Sequence, residues 1–141
     1  MSFRIYFFIF TFLFSFNVGA NERWAIDCES GIGNILFKNK DEAEMIVNSN
    51  QIVVGAAVVR NDNSLSFFLE EPLDLGRGGM MLNWDEFSKK NAIADAVISG
   101  DKMKLSWKGF FEKNTSKYMW KADSDFSALS DKNDIVINKC E

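Results

Sequence analysis

Asn133-Asp134-Ile135-Val136-Ile137-Asn138-Lys139-Cys140-Glu141, the C-terminal stretch, decides the fold of this chain. It reads as a short strand that ends in one of only two cysteines. The other cysteine closes an early stretch, Arg23-Trp24-Ala25-Ile26-Asp27-Cys28, in which Trp24, Ile26 and Cys28 alternate with Arg23, Ala25 and Asp27. Period-two alternation marks a strand with one buried face. Cysteines in the first and last strands of an exported chain predict a small domain whose ends are joined by a disulfide. Two free buried thiols are the alternative.

Export is read from the N-terminus. Arg4 gives a positive start, Ile5 to Phe16 is an apolar run, and Val18-Gly19-Ala20 offers small residues for cleavage. Residues 1–20 are therefore expected to be a signal peptide and 21–141 a single domain, periplasmic or secreted. The apolar run is short for a membrane span, so no membrane attachment is expected after cleavage. No cysteine stands at the cleavage point to take a lipid.

The chain has 16 basic and 20 acidic residues, a net charge of −4, and loss of Arg4 makes the exported part more acidic still. That balance disfavours nucleic acid and anionic membranes and suits a basic partner. There is no histidine. Ser-His-Asp and Cys-His catalysis and the commonest zinc ligand are thus excluded, and neither an enzyme, a cofactor nor a metal is expected.

Between the two ends, alternation recurs at hairpin spacing. Ile35 and Phe37 share a face. Asn39 with Glu42 resembles a helix cap, but Met45 to Val54 reads as strand, turn, strand, and the hairpin is preferred. A strand from Ala56 to Arg60, the turn Asn61-Asp62-Asn63-Ser64 and a strand with Leu65, Phe67 and Leu69 on one face form the clearest hairpin. Glu71-Pro72 is expected to end it. Gly76-Arg77-Gly78-Gly79 reads as a flexible loop, followed by a strand carrying Met80, Leu82 and Trp84. Ala92, Ala94, Ala96 and Ile98 share a face before the turn Ser99-Gly100-Asp101-Lys102. Met103, Leu105, Trp107, Gly109 and Phe111 form the longest alternating face, which turns Phe110 outward as a candidate anchor for a partner. Tyr118 and Trp120 continue, and Asp123 or Ser124 can cap one helical turn. The sum is an all-β domain, a small antiparallel barrel of about 8–10 strands whose first and last strands pair and remove the exposed edges.

Trp24-Ala25-Ile26-Asp27-Cys28 and the strand-rich stretch to Val54 resemble the start of the periplasmic C-type lysozyme inhibitors. Asp134 to Cys140 is similar to their closing strand, whose cysteine bonds the first. Ser99-Gly100 and Trp107-Lys108-Gly109 echo that family's Ser-Ala-Ser-Gly loop and Trp-x-Lys-Gly strand. Here the tetrapeptide is Val97-Ile98-Ser99-Gly100, and Trp107 and Lys108 are adjacent. The resemblance covers the end strands. It implies an eight-stranded barrel that plugs a lysozyme cleft, with Ser99, Gly100 and Lys108 facing the partner.

Two other constellations compete with that site. Trp84, Trp107 and Trp120 lie on successive predicted strands; lining an open barrel they make a ligand pocket, and filling it they are core. Asp95, Asp101 and Glu112 are carboxylates that neighbouring strands can bring together for hydrolysis. The acidic clusters Asp123-Ser124-Asp125 and Asp131-Lys132-Asn133-Asp134 lack a calcium-loop pattern and read as loop and capping acids. The expectation is an exported, non-catalytic binding protein, an inhibitor or immunity protein acting on a basic lysozyme-like or other hydrolase. The alternative is a carrier of a small lipophilic ligand with calycin-like architecture.

Overall fold

The computed structural model describes residues 22–128 and 134–141. The expected signal at 1–20 and the residues 131–133 of the acidic cluster lie outside the described residues. Ten strands run in the order β1 (Glu22–Ala25), β2 (Ile35–Phe37), β3 (Glu42–Asn48), β4 (Ile52–Asn61), β5 (Ser64–Leu75), β6 (Ala92–Ser99), β7 (Lys102–Trp107), β8 (Phe110–Glu112), β9 (Lys117–Met119) and β10 (Asp134–Cys140). Two single-turn helices, α1 (Arg77–Met80) and α2 (Asp125–Ala128), and a 3₁₀ turn at Trp84–Glu86 complete the described residues.

Eight strands close an antiparallel barrel in the order β1-β10-β7-β6-β5-β4-β3-β2, and β8 and β9 form a separate hairpin. The alternating apolar residues dictate this closure. Phe37, Met45, Val54, Val58, Phe67, Leu105 and Ile137 all turn inward and are buried. The rings of Phe37 and Phe67, on strands separated by two others, stand 6.1 Å apart across the interior. Side chains from opposite walls thus meet inside the barrel, as the small circumference of eight strands requires. Arg60 lies over the Phe37 ring at 5.3 Å, next to the turns between β2 and β3 and between β4 and β5.

Arg23 pairs with Cys140 and Ala25 with Asn138, so the first strand closes on the last. The Cys28–Cys140 disulfide is formed, with Cα atoms 5.5 Å apart. Cys28 lies in a turn just beyond β1, rather than within the strand as its alternation indicates. An antiparallel bridge between Asp27 and Ile32 folds the chain back there.

Three departures from the expected strands have clear causes. The first is Pro72, which does not end its strand: β5 runs on to Leu75, pairing with β4, while its pairing with β6 spans Ser64 to Phe68. Proline is tolerated beyond that point because no ladder on the β6 side needs its missing N–H. The second is Gly76 to Trp84, which is neither a flexible loop nor a strand. Met80 N–H donates to Gly76 O at 2.9 Å and Leu82 N–H to Gly79 O at 3.2 Å, so local helical bonds replace a ladder.

The third departure reverses the expected face of Phe110. The alternation of β7 stops at Trp107, and the N–H groups of both Lys108 and Gly109 point at Ile93 O, at 2.8 and 3.3 Å. Gly109 has φ of +104°, and a Cβ there would sit 2.4 Å from Met119 O. Only glycine fits this kink. The extra residue flips the side-chain parity, so Phe110 is fully buried instead of facing a partner, and Phe111 is half-buried against Tyr118.

Candidate functional site

The two ends of the barrel differ. At one, the tight turns Asp62-Asn63 and Gly100-Asp101 are exposed. At the other, α1, the 3₁₀ turn, the β8–β9 hairpin and α2 build a cap over the mouth. The cap is anchored by aromatic rings. Phe110 packs against Trp84 at 5.0 Å, Phe87 at 5.4 Å and Trp107 at 5.5 Å, and Trp107 also meets Phe126 at 5.8 Å. Trp84 Nε1 donates to Gly79 O and Trp107 Nε1 to Trp120 O, both at 2.9 Å, which satisfies the indoles that the packing covers. Phe87 and Phe126, which no strand pattern flags, complete the plug.

Hydrogen bonds tie the cap to the barrel rim. Asp125 accepts from the backbone N–H of Ser49 at 3.1 Å and from its hydroxyl at 2.9 Å, and Asn48 donates to Asp123 O at 3.2 Å. The expected cap of α2 is Ser124, whose Oγ accepts from Ser127 N–H at 3.2 Å. The Asp123-Ser124-Asp125 cluster is thus used in tying and capping. Among the described residues, no group of three or more His, Cys, Asp or Glu side chains is placed to hold a metal ion. No helix among them is long and apolar enough to cross a membrane.

The three residues implicated by the resemblance do not assemble. Ser99 pairs with Lys102 and Gly100 occupies the exposed turn, whereas Lys108 follows Trp107 at the capped end. The intervening six-residue strand β7 separates them by about 20 Å at roughly 3.4 Å per residue. The three tryptophans do gather. Trp84 and Trp107 flank Phe110, and Trp120 joins them through its carbonyl, so the space between the indoles is taken by a phenylalanine. The three carboxylates stay apart: Asp95 is on the barrel wall, Asp101 in the far turn and Glu112 in the β8–β9 hairpin.

Two open clefts flank the cap. One, of about 580 Å³, is lined by Trp107, Lys108, Tyr118, Lys121 and Phe126, among others. The other, of about 700 Å³, lies between the tail of β5 and the segment after Trp84, with Glu70, Glu71 and Asp85 facing Lys89, Lys90 and Lys113.

Lys108 has a partner on the wall. Its Nζ lies 2.7 Å from Asp95 Oδ2, and the Ser66 hydroxyl donates to Asp95 Oδ1 at 2.8 Å. Partial burial works to raise the Asp95 pKa, but the bonds from Lys108 and Ser66 together hold it below the ordinary carboxylate value. The bond to Asp95 in turn raises Lys108 above the ordinary lysine value, against its own burial. The Asp95 contribution to stability is therefore fully present above its unfolded pKa and is lost as pH falls through the lower folded one; that of Lys108 is lost only as pH rises through its raised value. Both side chains are about two-fifths exposed, at 43% and 40%, so the pair contributes less than about 1 kcal/mol. Asp95→Asn is expected to cost that small amount at neutral pH and to flatten the acid side of the stability curve. Urea titrations at several pH values check this, and an acid limb as steep as that of the unaltered protein contradicts it.

The chain matches no protein-family model, no curated protein and no solved structure.

Proposed function

We propose that this protein is an exported, non-catalytic binding domain that inhibits, or confers immunity to, a basic hydrolase of the lysozyme kind. The observation that carries this reading is a barrel filled from wall to wall by its own side chains and tied at its termini by a disulfide. Such a body is a rigid support for surface loops, which lowers the ordering cost of binding a protein. The disulfide fits an oxidising compartment. The acidic net charge speeds encounter with a basic partner. The scattered carboxylates and the lack of histidine favour binding over catalysis.

The test uses the oxidised domain 21–141 and a C-type lysozyme as defined bait. The expected result is one-to-one capture with loss of lysozyme activity, and an association rate that falls as salt rises. Lysozyme that stays fully active with micromolar domain present overturns the lysozyme reading. The carrier alternative draws its support from the 580 Å³ cleft beside Trp107; a lipophilic ligand seated there shifts tryptophan fluorescence.

A further inference from the structure

We propose that the cleft between the tail of β5 and the segment after Trp84 binds a short zwitterionic peptide, with the amine end of the ligand against Glu70 and Glu71 and its carboxylate end against Lys89, Lys90 and Lys113. This inference goes beyond the inhibitor reading and does not depend on it. It gives the domain a small ligand in addition to a protein partner.

The cleft holds about 700 Å³, within the range of about 300–1,000 Å³ that small-molecule sites occupy. Its walls carry opposite charge. The β5 wall presents Glu70 and Glu71; the other presents Lys89 and Lys90, joined by Lys113 from the turn after β8. Asp85, on the 3₁₀ turn, adds a third carboxylate. Opposite charges on one surface can neutralise each other as ion pairs. Here they do not: the ion pairs of the described residues are Lys38–Glu44, Lys104–Asp134, Lys108–Asp95 and Lys139–Glu22, and none of the six takes part in one.

The backbone keeps the two walls apart. On the basic side, Lys113 N–H donates to Glu86 O at 2.9 Å and Ser88 N–H to Phe111 O at 2.8 Å, so this segment is stitched to β8 and not to β5. The buried Ser88 hydroxyl accepts from Lys90 N–H at 3.0 Å and donates to Asn91 Oδ1 at 2.7 Å, which fixes the stretch that carries both lysines. On the acidic side, β5 stays paired with β4 as far as Leu75, while its ladder with β6 stops at the pair Phe68–Ala92. A ligand therefore meets charges that are already held apart and has no ion pair to break. A cleft also focuses the field of such charges.

The rest of the lining selects the body of the ligand. Trp84 and Pro72, half-buried, and Leu69 and Phe87, buried, also line the cleft. The Trp84 ring is oriented by its bond to Gly79 O and by edge contacts with Phe87 and Phe110. Apolar groups together with two charged walls suit a ligand with an apolar middle and charged ends. Pro72 has no N–H to offer along this edge of β5, so recognition falls to side chains rather than to an added strand.

The experiment titrates the oxidised domain 21–141 by calorimetry with the tripeptide Lys-Ala-Glu, free at both termini. This probe carries its cations at one end and its anions at the other. It is expected to bind one-to-one, and more weakly as salt rises. Its uncharged counterpart, acetyl-Gln-Ala-Gln-amide, should bind at least tenfold more weakly. Glu70→Gln with Glu71→Gln, and separately Lys89→Gln with Lys90→Gln, should each raise the dissociation constant at least fivefold. Asp62→Asn and Lys40→Gln, at exposed turns away from the cleft, should change it less than twofold. All substituted side chains are exposed, so every variant should melt with the unaltered domain. No binding of the charged tripeptide at millimolar concentration, equal affinity for the uncharged one, or a loss confined to the variants of one wall overturns the assignment.

Discussion

Replacing Cys28 and Cys140 by serine is expected to lower the melting temperature by about 15 °C, an effect as large as the costliest side-chain truncations in the core should produce. The two cysteines are separated by 112 positions. Joining them removes loop-closure entropy from the unfolded chain, worth about 4–5 kcal/mol in the chain-entropy account. The native side adds to this. β1 has four residues and β2 has three, and β1 alone bridges β2 to β10. Without the tether, the seam that closes the barrel rests on short ladders, the buried Trp24 and a half-buried contact between Lys139 and Glu22 at 3.6 Å. Hydrogen exchange should then quicken first at β1 and at Lys139 and Cys140. Thermal melts with and without reductant make the comparison directly; curves that differ by only a few degrees would show that the seam holds by packing alone.

Phe110→Ala should cost about 3–5 kcal/mol, the range for deleting a buried ring that its surroundings cannot refill. Phe110 is fully buried and touches Trp84, Phe87 and Trp107 together. These three come from the segment after α1 and from the end of β7, so one ring joins the cap to the barrel. Phe111→Ala, one position along and half-buried, is expected to cost less than half as much. Urea unfolding followed by tryptophan fluorescence measures both, and the Phe110 variant should also lose near-ultraviolet ellipticity as Trp84 and Trp107 are freed. A loss below about 1 kcal/mol at Phe110, or a larger one at Phe111, would mean that the cap is not keyed by this ring.

Phe110 also shows where alternation fails as a guide. Met103, Leu105 and Trp107 face inward as their spacing indicates, and the same count carried through Gly109 assigns Phe110 to the outside. The error arises at one residue. A bulge adds a single position and inverts everything after it, and its cause, the approach of Gly109 to the Met119 carbonyl, lies ten residues away in the chain. Pro72 is a similar case, since whether a proline ends a strand depends on whether a neighbour needs its N–H. Met80, Leu82 and Trp84 alternate without forming a strand, because Gly76–Gly79 finds its hydrogen bonds in its own turn and in Gln51.

The candidate site was less legible than the fold. Lys108 and Ser99 are both near the β6–β7 hairpin in sequence, yet a hairpin sends the two ends of its strand to opposite ends of a barrel. Asp95 stood out as one carboxylate among several, and only the register that sets it beside Ser66 and Ser106 explains its tie to Lys108.

Residue order was enough to indicate the all-β class, since period-two burial is a local property of the chain, and it favoured a barrel closed by its end strands and a bond between Cys28 and Cys140 over two free thiols; the closure and the bond themselves are properties of the folded structure. Long-range packing was needed to settle that the interior is filled, that the segments around α1 and β8–β9 fold into a cap, and which charged and apolar groups meet on it. Those outcomes depend on contacts between residues far apart in the chain, whose geometry no local period encodes.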